Sequence, residues 1–467
     1  MKKLSKIGSI LLAGYLLFWV LSLPGQNEQK TAVTTTSQRS PFAQSNPGGQ
    51  TENAQIVVGD PVIPTLSQPA RDLPLAEIEI FLDREINPRL NLNGNPTAPT
   101  DSGLPNGLDS LLEQQANAAP HAPNAFLTPI LNFTAQDYTF VNPPDTVGDV
   151  GPNHYVHMIN TGGGTSVVIY NKSGGVLAGP FNLDSLGSGS CADGLGDPIV
   201  LYDQAANRWL LTEFSGSANV LCVYVSTTPD PTGTYYNYAF TTPNFPDYPK
   251  YGIWSDAYYV SSNENSPAVY ALDRAKMITG QAATSLRFTA TTLSGFSFQA
   301  LTPSNWEGST PPPAGAPNYF MRHRDTEVHG PTGYPTEDFL EIWAFHADFI
   351  TPANATFSQI ANISVAEFDS SLCGLTSFSC FPQLGSTTTL DPLREVVMFP
   401  LTYRNFGGYQ ALVGNLVTDV DGTDHGGVRW FELRKVGAGA WTLYQQGTLA
   451  PDAHSRWMGS IGMDGSG

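Results

Sequence analysis

The chain has 467 residues, 22 of them basic and 41 acidic, for a formal net charge of −19. That balance argues against nucleic acid as a partner, because phosphate backbones are held by clustered Lys and Arg. Hydrophobic residues make up 41%, with 24 Phe, 19 Tyr and 8 Trp, enough for a sizeable core, while 45 Gly and 37 Pro point to many turns.

At the N-terminus, Lys2, Lys3 and Lys6 lead into an uncharged apolar run over residues 7–23. Signal cores are about 7–15 residues and spanning helices need about 20, so the run lies between the two. A cleaved export signal over residues 1–25 is the first reading and an uncleaved anchor the second. Either makes the protein secreted or cell-surface, touching a membrane only through this segment. The four cysteines fit that compartment. Cys373 with Cys380 closes a local loop, and Cys191 with Cys222 is the matching pair, although three pairings are open in principle.

Residues 26–125 are rich in Thr, Ser, Gln, Asn, Pro and Gly, and read as a disordered linker or spacer. One island, residues 75–84 (LAEIEIFLDR), alternates apolar and acidic positions.

From residue 126 to 467 short β-rich runs recur in sets of four. The clearest set covers residues 199–202, 209–214, 220–226 and 234–240. An earlier one covers 146–150, 154–160, 167–170 and 176–181, and a later one 251–254, 257–261, 269–272 and 286–291. In a fourth the inner pair is blurred around 318–324, with an outer pair at 340–349 and 356–363. A fifth covers 396–403, 409–417, 428–434 and 441–447. A sixth begins at 457–463 and stops at the turn Asp464-Gly465-Ser466-Gly467. Turn markers about 50 residues apart suit four-stranded blades. The expected fold is therefore an all-β propeller of about six blades, the last incomplete, after a disordered N-terminal segment. A β-sandwich is the alternative, since its strands also recur at short spacing.

The stretch SIGMDGSG (residues 460–467) resembles the strand–turn signature of secreted bacterial seven-bladed propeller repeats. VYVSTTPDPTGTYYNY (residues 223–238) is similar to outer-strand segments of sialidase-like propellers. The resemblance implies the fold over residues 126–467. It implies no activity, since no copy carries a complete Asp-box.

In a propeller the loops leading into the innermost strands converge at one mouth of the channel. Those positions are Asp149, Asp197, Lys250, Arg322, Arg324, Arg404 and Arg456, a set suited to a carboxylated ligand held by bidentate arginines. The plainer reading is that these charges pair with one another. Residues 321–330 (MRHRDTEVHG) gather His, Arg and carboxylates that can serve as acid and base or as metal ligands, and read more simply as a solvated or ion-paired loop. Asp419, Asp421 and Asp424, in DVDGTD, offer hard oxygen ligands of the kind Ca²⁺ takes, or simply build a polar turn. No other cofactor is called for. The aromatics Tyr235, Tyr236, Tyr238, Trp343, Trp430 and Trp441 fit packing between blades better than sugar stacking.

P-loop, G-x-S-x-G, H-E-x-x-H and dinucleotide fingerprints are absent from the sequence. The leading reading is a monomeric binding or scaffold module for an extracellular glycan or protein ligand. The rival is a glycan-processing enzyme working at the channel mouth, and a purely structural envelope protein comes third.

Overall fold

A computed structural model describes residues 55–76, 84–85, 102–117, 129–293, 296, 299–329, 337–375 and 377–467. The expected export signal over 1–25 lies outside them. Four short strands come first: β1 (Val57–Val58), β2 (Thr65–Leu66), β3 (Arg84–Glu85) and β4 (Val141–Asn142).

Five four-stranded antiparallel sheets follow in chain order. The first holds β5 (Val147–Val150), β6 (His154–Thr161), β7 (Gly164–Asn171) and β8 (Val176–Asn182). The second holds β9 (Gly194–Asp203), β10 (Arg208–Ser215), β11 (Val220–Ser226) and β12 (Tyr235–Thr241). The third holds β13 (Asp247–Ile253), β14 (Tyr258–Asn263), β15 (Pro267–Leu272) and β16 (Ser285–Thr289). The fourth holds β17 (Thr302–Glu307), β18 (Asn318–Arg324), β19 (Phe339–His346) and β20 (Thr356–Ser364). The fifth holds β21 (Leu401–Asn405), β22 (Gln410–Asp419), β23 (Gly426–Lys435) and β24 (Thr442–Leu449).

The first strand of each sheet is its innermost, and these strands lie side by side in chain order. β17 and β21 pair in parallel from Ser304↔Leu401 to Glu307↔Arg404. Residues 457–463, where the sequence predicts a sixth blade, form no strand and meet β21 through its side chains: Thr402 Oγ1 donates to the Ile461 carbonyl at 3.4 Å, and Arg404 Nη1 donates to the Met463 carbonyl at 2.6 Å. Sheets stacked around an axis in this way form a β-propeller, the fold class that the periodicity predicts.

The second blade shows why its strands are apolar on both sides. Val200, Leu211, Cys222 and Tyr224 pack toward Val156, Val167 and Ile169 of the first blade. Alternate positions, Ile199, Leu201, Leu210 and Val223, pack toward Tyr251, Val260 and Tyr270 of the third. A period of two sends neighbouring residues to opposite faces, and each face meets a different blade. Each such side chain, fully buried, stabilises the fold by about 1.5–3 kcal/mol relative to exposure. An ion pair adds a fixed contact between these blades: Arg274 Nε donates to Asp203 Oδ2 at 2.6 Å, and Tyr258 Oη donates to the same oxygen at 2.9 Å.

Two segments that composition assigns to the linker belong to the folded body. Residues 55–76 pass along the outer edges of three blades, with β1 antiparallel to β16 and β2 antiparallel to β12. Ala70 is buried between the first two blades, and the Ala76 amide donates to Pro180 at 2.8 Å. A helix, α1 (Ser110–Asn117), lies against β24. Just ahead of it, the Asp109 carboxylate accepts from Arg429 Nη2 and Thr448 Oγ1, both at 2.8 Å. Main-chain pairing to a sheet edge needs few apolar side chains, so composition does not reveal it. Most of the island at 75–84 lies outside the described residues.

The fourth blade also differs from expectation. Residues 318–324 form its second strand, while the inner strand is β17, whose sequence TPSNWE lacks apolar alternation. Both disulfides pair as preferred, Cys191 with Cys222 and Cys373 with Cys380. Among the described residues no helix is long and apolar enough to cross a membrane.

Candidate functional site at the channel mouth

The inner strands begin at what we call the upper mouth and end at the lower mouth. Three segments lead into the first three blades at the upper mouth, and each carries an aspartate: Asp145, Asp197 and Asp247. A small apolar cluster joins them. Val141, Leu195 and Phe245, each a few residues ahead of its aspartate, pack around Phe214. The Phe214 and Phe245 rings lie 4.8 Å apart, edge to face.

Asn160 ties two of these segments together. Its amide donates to the Pro144 carbonyl at 2.9 Å and its Nδ2 to the Pro143 carbonyl at 3.0 Å. Its Oδ1 accepts from the Asp197 amide at 2.9 Å. The backbone turns through the left-handed region at Asp145 (φ 42°), Asp197 (φ 53°) and Tyr248 (φ 52°). Such a conformation costs a residue other than glycine on the order of 1–3 kcal/mol, and its repetition in three successive blades marks a built feature.

Asp197 is buried and shares a hydrogen bond with the Asp145 carboxyl. Burial pushes the Asp197 carboxyl well above the usual carboxylate range. Asp145 and Asp247 push it the same way, and Lys250 offsets part of the effect. Asp197 therefore keeps its proton to a higher pH than an ordinary aspartate. Lys250 is itself buried, with its ammonium 3.8 Å from the centre of the Tyr248 ring.

The other predicted mouth residues lie elsewhere. Asp149 and Arg404 sit at the lower mouth. There Asp149 accepts from the Tyr202 and Val150 amides, both at 2.6 Å. Arg404 lies beside Glu307, which burial and Asp149 push up to about 7 against the pull of Arg404. A cavity of about 270 Å³ opens there, lined by Glu307, Thr402, Arg404 and residues 460–463. Arg322 and Arg324 are consumed by one buried carboxylate, Glu341, at 2.5 and 2.9 Å. Arg456 pairs locally with Asp452 at 2.8 Å. Of the seven residues, only Asp197 and Lys250 come together at the upper mouth, since the rest sit at other heights on their strands or on other strands.

Residues 321–329 are mostly buried on β18 and the turn after it, not solvated. Burial lowers His323 to about 4, which unsuits it as a base near neutrality. The carboxylate oxygens of Asp325, Glu327 and Asp338 lie within 4.8 Å of one another, close enough to share a cation. Asp325 already accepts from Ser370 and Val328, and Asp338 from Thr326 and Phe368.

The acidic loop after β22 is held by its own donors. Asp419 accepts from the amides of residues 421, 422 and 424. Asp421 accepts from Thr423 and His425, and Asp424 from the Cys373 amide. Tyr235, Tyr238, Trp343 and Trp441 are buried between or within blades, as packing residues.

Sequence reasoning missed Asp145, Asp247, Asn160 and Glu307. One signal was present for the first two: an aspartate stands beside proline at Pro144-Asp145 and Asp197-Pro198 and two residues ahead of Pro249 after Asp247.

No protein-family model matches the sequence, and no curated protein matches it. Among solved structures the chain is similar to a GH43 β-1,3-galactosidase (13% identity, TM-score 0.27, 64% of this chain and 58% of that one). It is also similar to an endo-arabinase from Bacteroides thetaiotaomicron (16% identity, TM-score 0.27, 55% and 81% covered). An endo-1,4-β-xylanase from the same organism aligns at 12% identity and TM-score 0.30, over 64% and 94%. At such TM-scores the likeness is loose, and the fold stands on the strand order above.

Proposed function

We propose that this propeller is an exported glycan-processing hydrolase whose chemistry takes place at the upper mouth. The observation that carries the reading is the convergence of three carboxyls from successive blades, with Asp197 buried, hydrogen-bonded to Asp145 and pushed up by burial and by its acidic neighbours. Glycoside hydrolysis needs one carboxyl that donates a proton to the leaving oxygen and a second that acts as base or nucleophile. Asp197 takes the first role. Asp145 shares its proton and tunes it, since carboxyls in hydrogen-bond contact are too close to flank a glycosidic bond. Asp247, on the third blade, takes the second role, and Lys250 limits the charge that gathers there. The two disulfides agree with an oxidising compartment.

The test is a panel of chromogenic glycosides with the full chain and its Asp197→Asn and Asp247→Asn variants. Each substitution is expected to lower kcat by about 10²–10⁴, the span of general acid–base catalysis, with the circular dichroism spectrum unchanged. A wild-type protein that binds glycans and cleaves none would return the function to a binding module. Cleavage that survives both substitutions would move the chemistry away from this mouth.

A further inference from the structure

Two aromatic side chains stand exposed on the segment that leads to Asp145. Tyr138 is 48% and Phe140 39% exposed, with ring centres 5.4 Å apart and planes inclined at 49°. Their backbone is nevertheless held firmly. Thr139 between them is buried and its hydroxyl donates to the Asn160 carbonyl, while Val141 is wholly buried in the apolar cluster around Phe214. Phe140 itself lies in the left-handed region at φ 65°. That conformation costs on the order of 1–3 kcal/mol. The same Asn160 receives the Asp197 amide, so the aromatic pair and the carboxyl cluster hang from one residue.

The charge around this mouth restricts what can bind. Asp145, Asp197 and Asp247 converge there with Lys250, while Arg322, Arg324 and Arg456 are held by carboxylates and Arg404 lies at the other end of the channel. A carboxylated sugar would meet like charge there, with these four arginines engaged elsewhere and Lys250 already facing the aspartates.

We infer that the upper mouth takes a neutral glycan chain, with one sugar at the carboxyl cluster and a neighbouring sugar stacked by its C–H face on Tyr138 and Phe140. This rests on the glycan-processing reading above and assigns its substrate class. Aromatic faces suit such stacking because they bury apolar area while leaving the sugar hydroxyls in water.

The experiment is affinity electrophoresis of the full chain in gels containing neutral polysaccharides (glucan, xylan, mannan, galactan) or polygalacturonate. It is repeated with Tyr138→Ala alone and with Tyr138→Ala/Phe140→Ala. Retention by at least one neutral polymer but not by polygalacturonate is expected. The double variant should bind that polymer at least about tenfold more weakly, a change of about 1.4 kcal/mol. Tyr138→Ala, at a position free of backbone constraint, should show part of the loss. Turnover of an aryl monoglycoside, which reaches only the carboxyl cluster, should fall less in both variants than affinity for the polymer.

Preferential retention by polygalacturonate, or wild-type retention in the double variant, overturns the inference. If monoglycoside turnover still depends on Asp197 in that case, the catalytic reading survives alone. Retention by no polymer and turnover of no glycoside overturns both.

Discussion

At the scale of single residues, carboxyls held above their usual range dominate this molecule. Glu307 is the cleanest case, pushed up to about 7 by burial and by Asp149. An unfolded glutamate titrates near about 4.3. A raised folded value means that the native state holds a proton the unfolded chain releases, so this contribution to stability is full below about 4.3 and is lost as pH rises through about 7. The stability of Glu307→Gln relative to wild type should therefore improve between about pH 4.5 and 7.5, measured as Tm at each pH. A difference that stays flat across the window would mean that Glu307 is ionised throughout.

Asp197 and Lys250 were legible as mouth residues because they stand where strands begin. Arg322, Arg324 and Arg404 were not placed, because sequence spacing does not say at what height along the channel a residue sits or on which strand. Glu341, which consumes two of these arginines, lies one strand further out.

At the scale of elements, sequence pattern and structure agree where burial alternates and diverge where the main chain carries the contact. The four strands of the second blade were legible because each face meets another blade. β17 was not, since Pro303, Ser304 and Asn305 break the pattern while the backbone still pairs with β21. Residues 55–76 were hidden for the same reason: their ties to β12 and β16 run through amides and carbonyls. Removing residues 55–76 uncovers both edges, and open edges invite pairing with other chains. The shortened protein is expected to show a lower Tm and concentration-dependent association by light scattering, where an unchanged, monodisperse protein would contradict the account.

The bridge between Cys191 and Cys222 closes a 31-residue separation between the turn ahead of β9 and the third strand of that blade. Replacing both cysteines with alanine should destabilise the protein by about 2–4 kcal/mol, read from chemical denaturation. A loss below 0.5 kcal/mol, roughly the surface-mutation range, would show the blade stable without its bridge.

At the scale of the whole molecule, one construction principle links fold to chemistry. Each blade needs neighbours to bury its two faces, so inner strands must start side by side, and whatever precedes them gathers at one mouth. Three aspartates placed one per blade thus become a cluster, although they are far apart in sequence. The cluster is useful only if the molecule holds one of its carboxyls protonated. The most direct measurement is ¹³C NMR titration of labelled aspartate carboxyls in the intact protein, with Asp197→Asn identifying the resonance. The account predicts that Asp197 titrates well above the ordinary aspartate value of about 3.9, and that Asp145→Asn shifts its midpoint. An Asp197 midpoint at that ordinary value would contradict the proton donor, and with it the assignment of hydrolysis to this mouth.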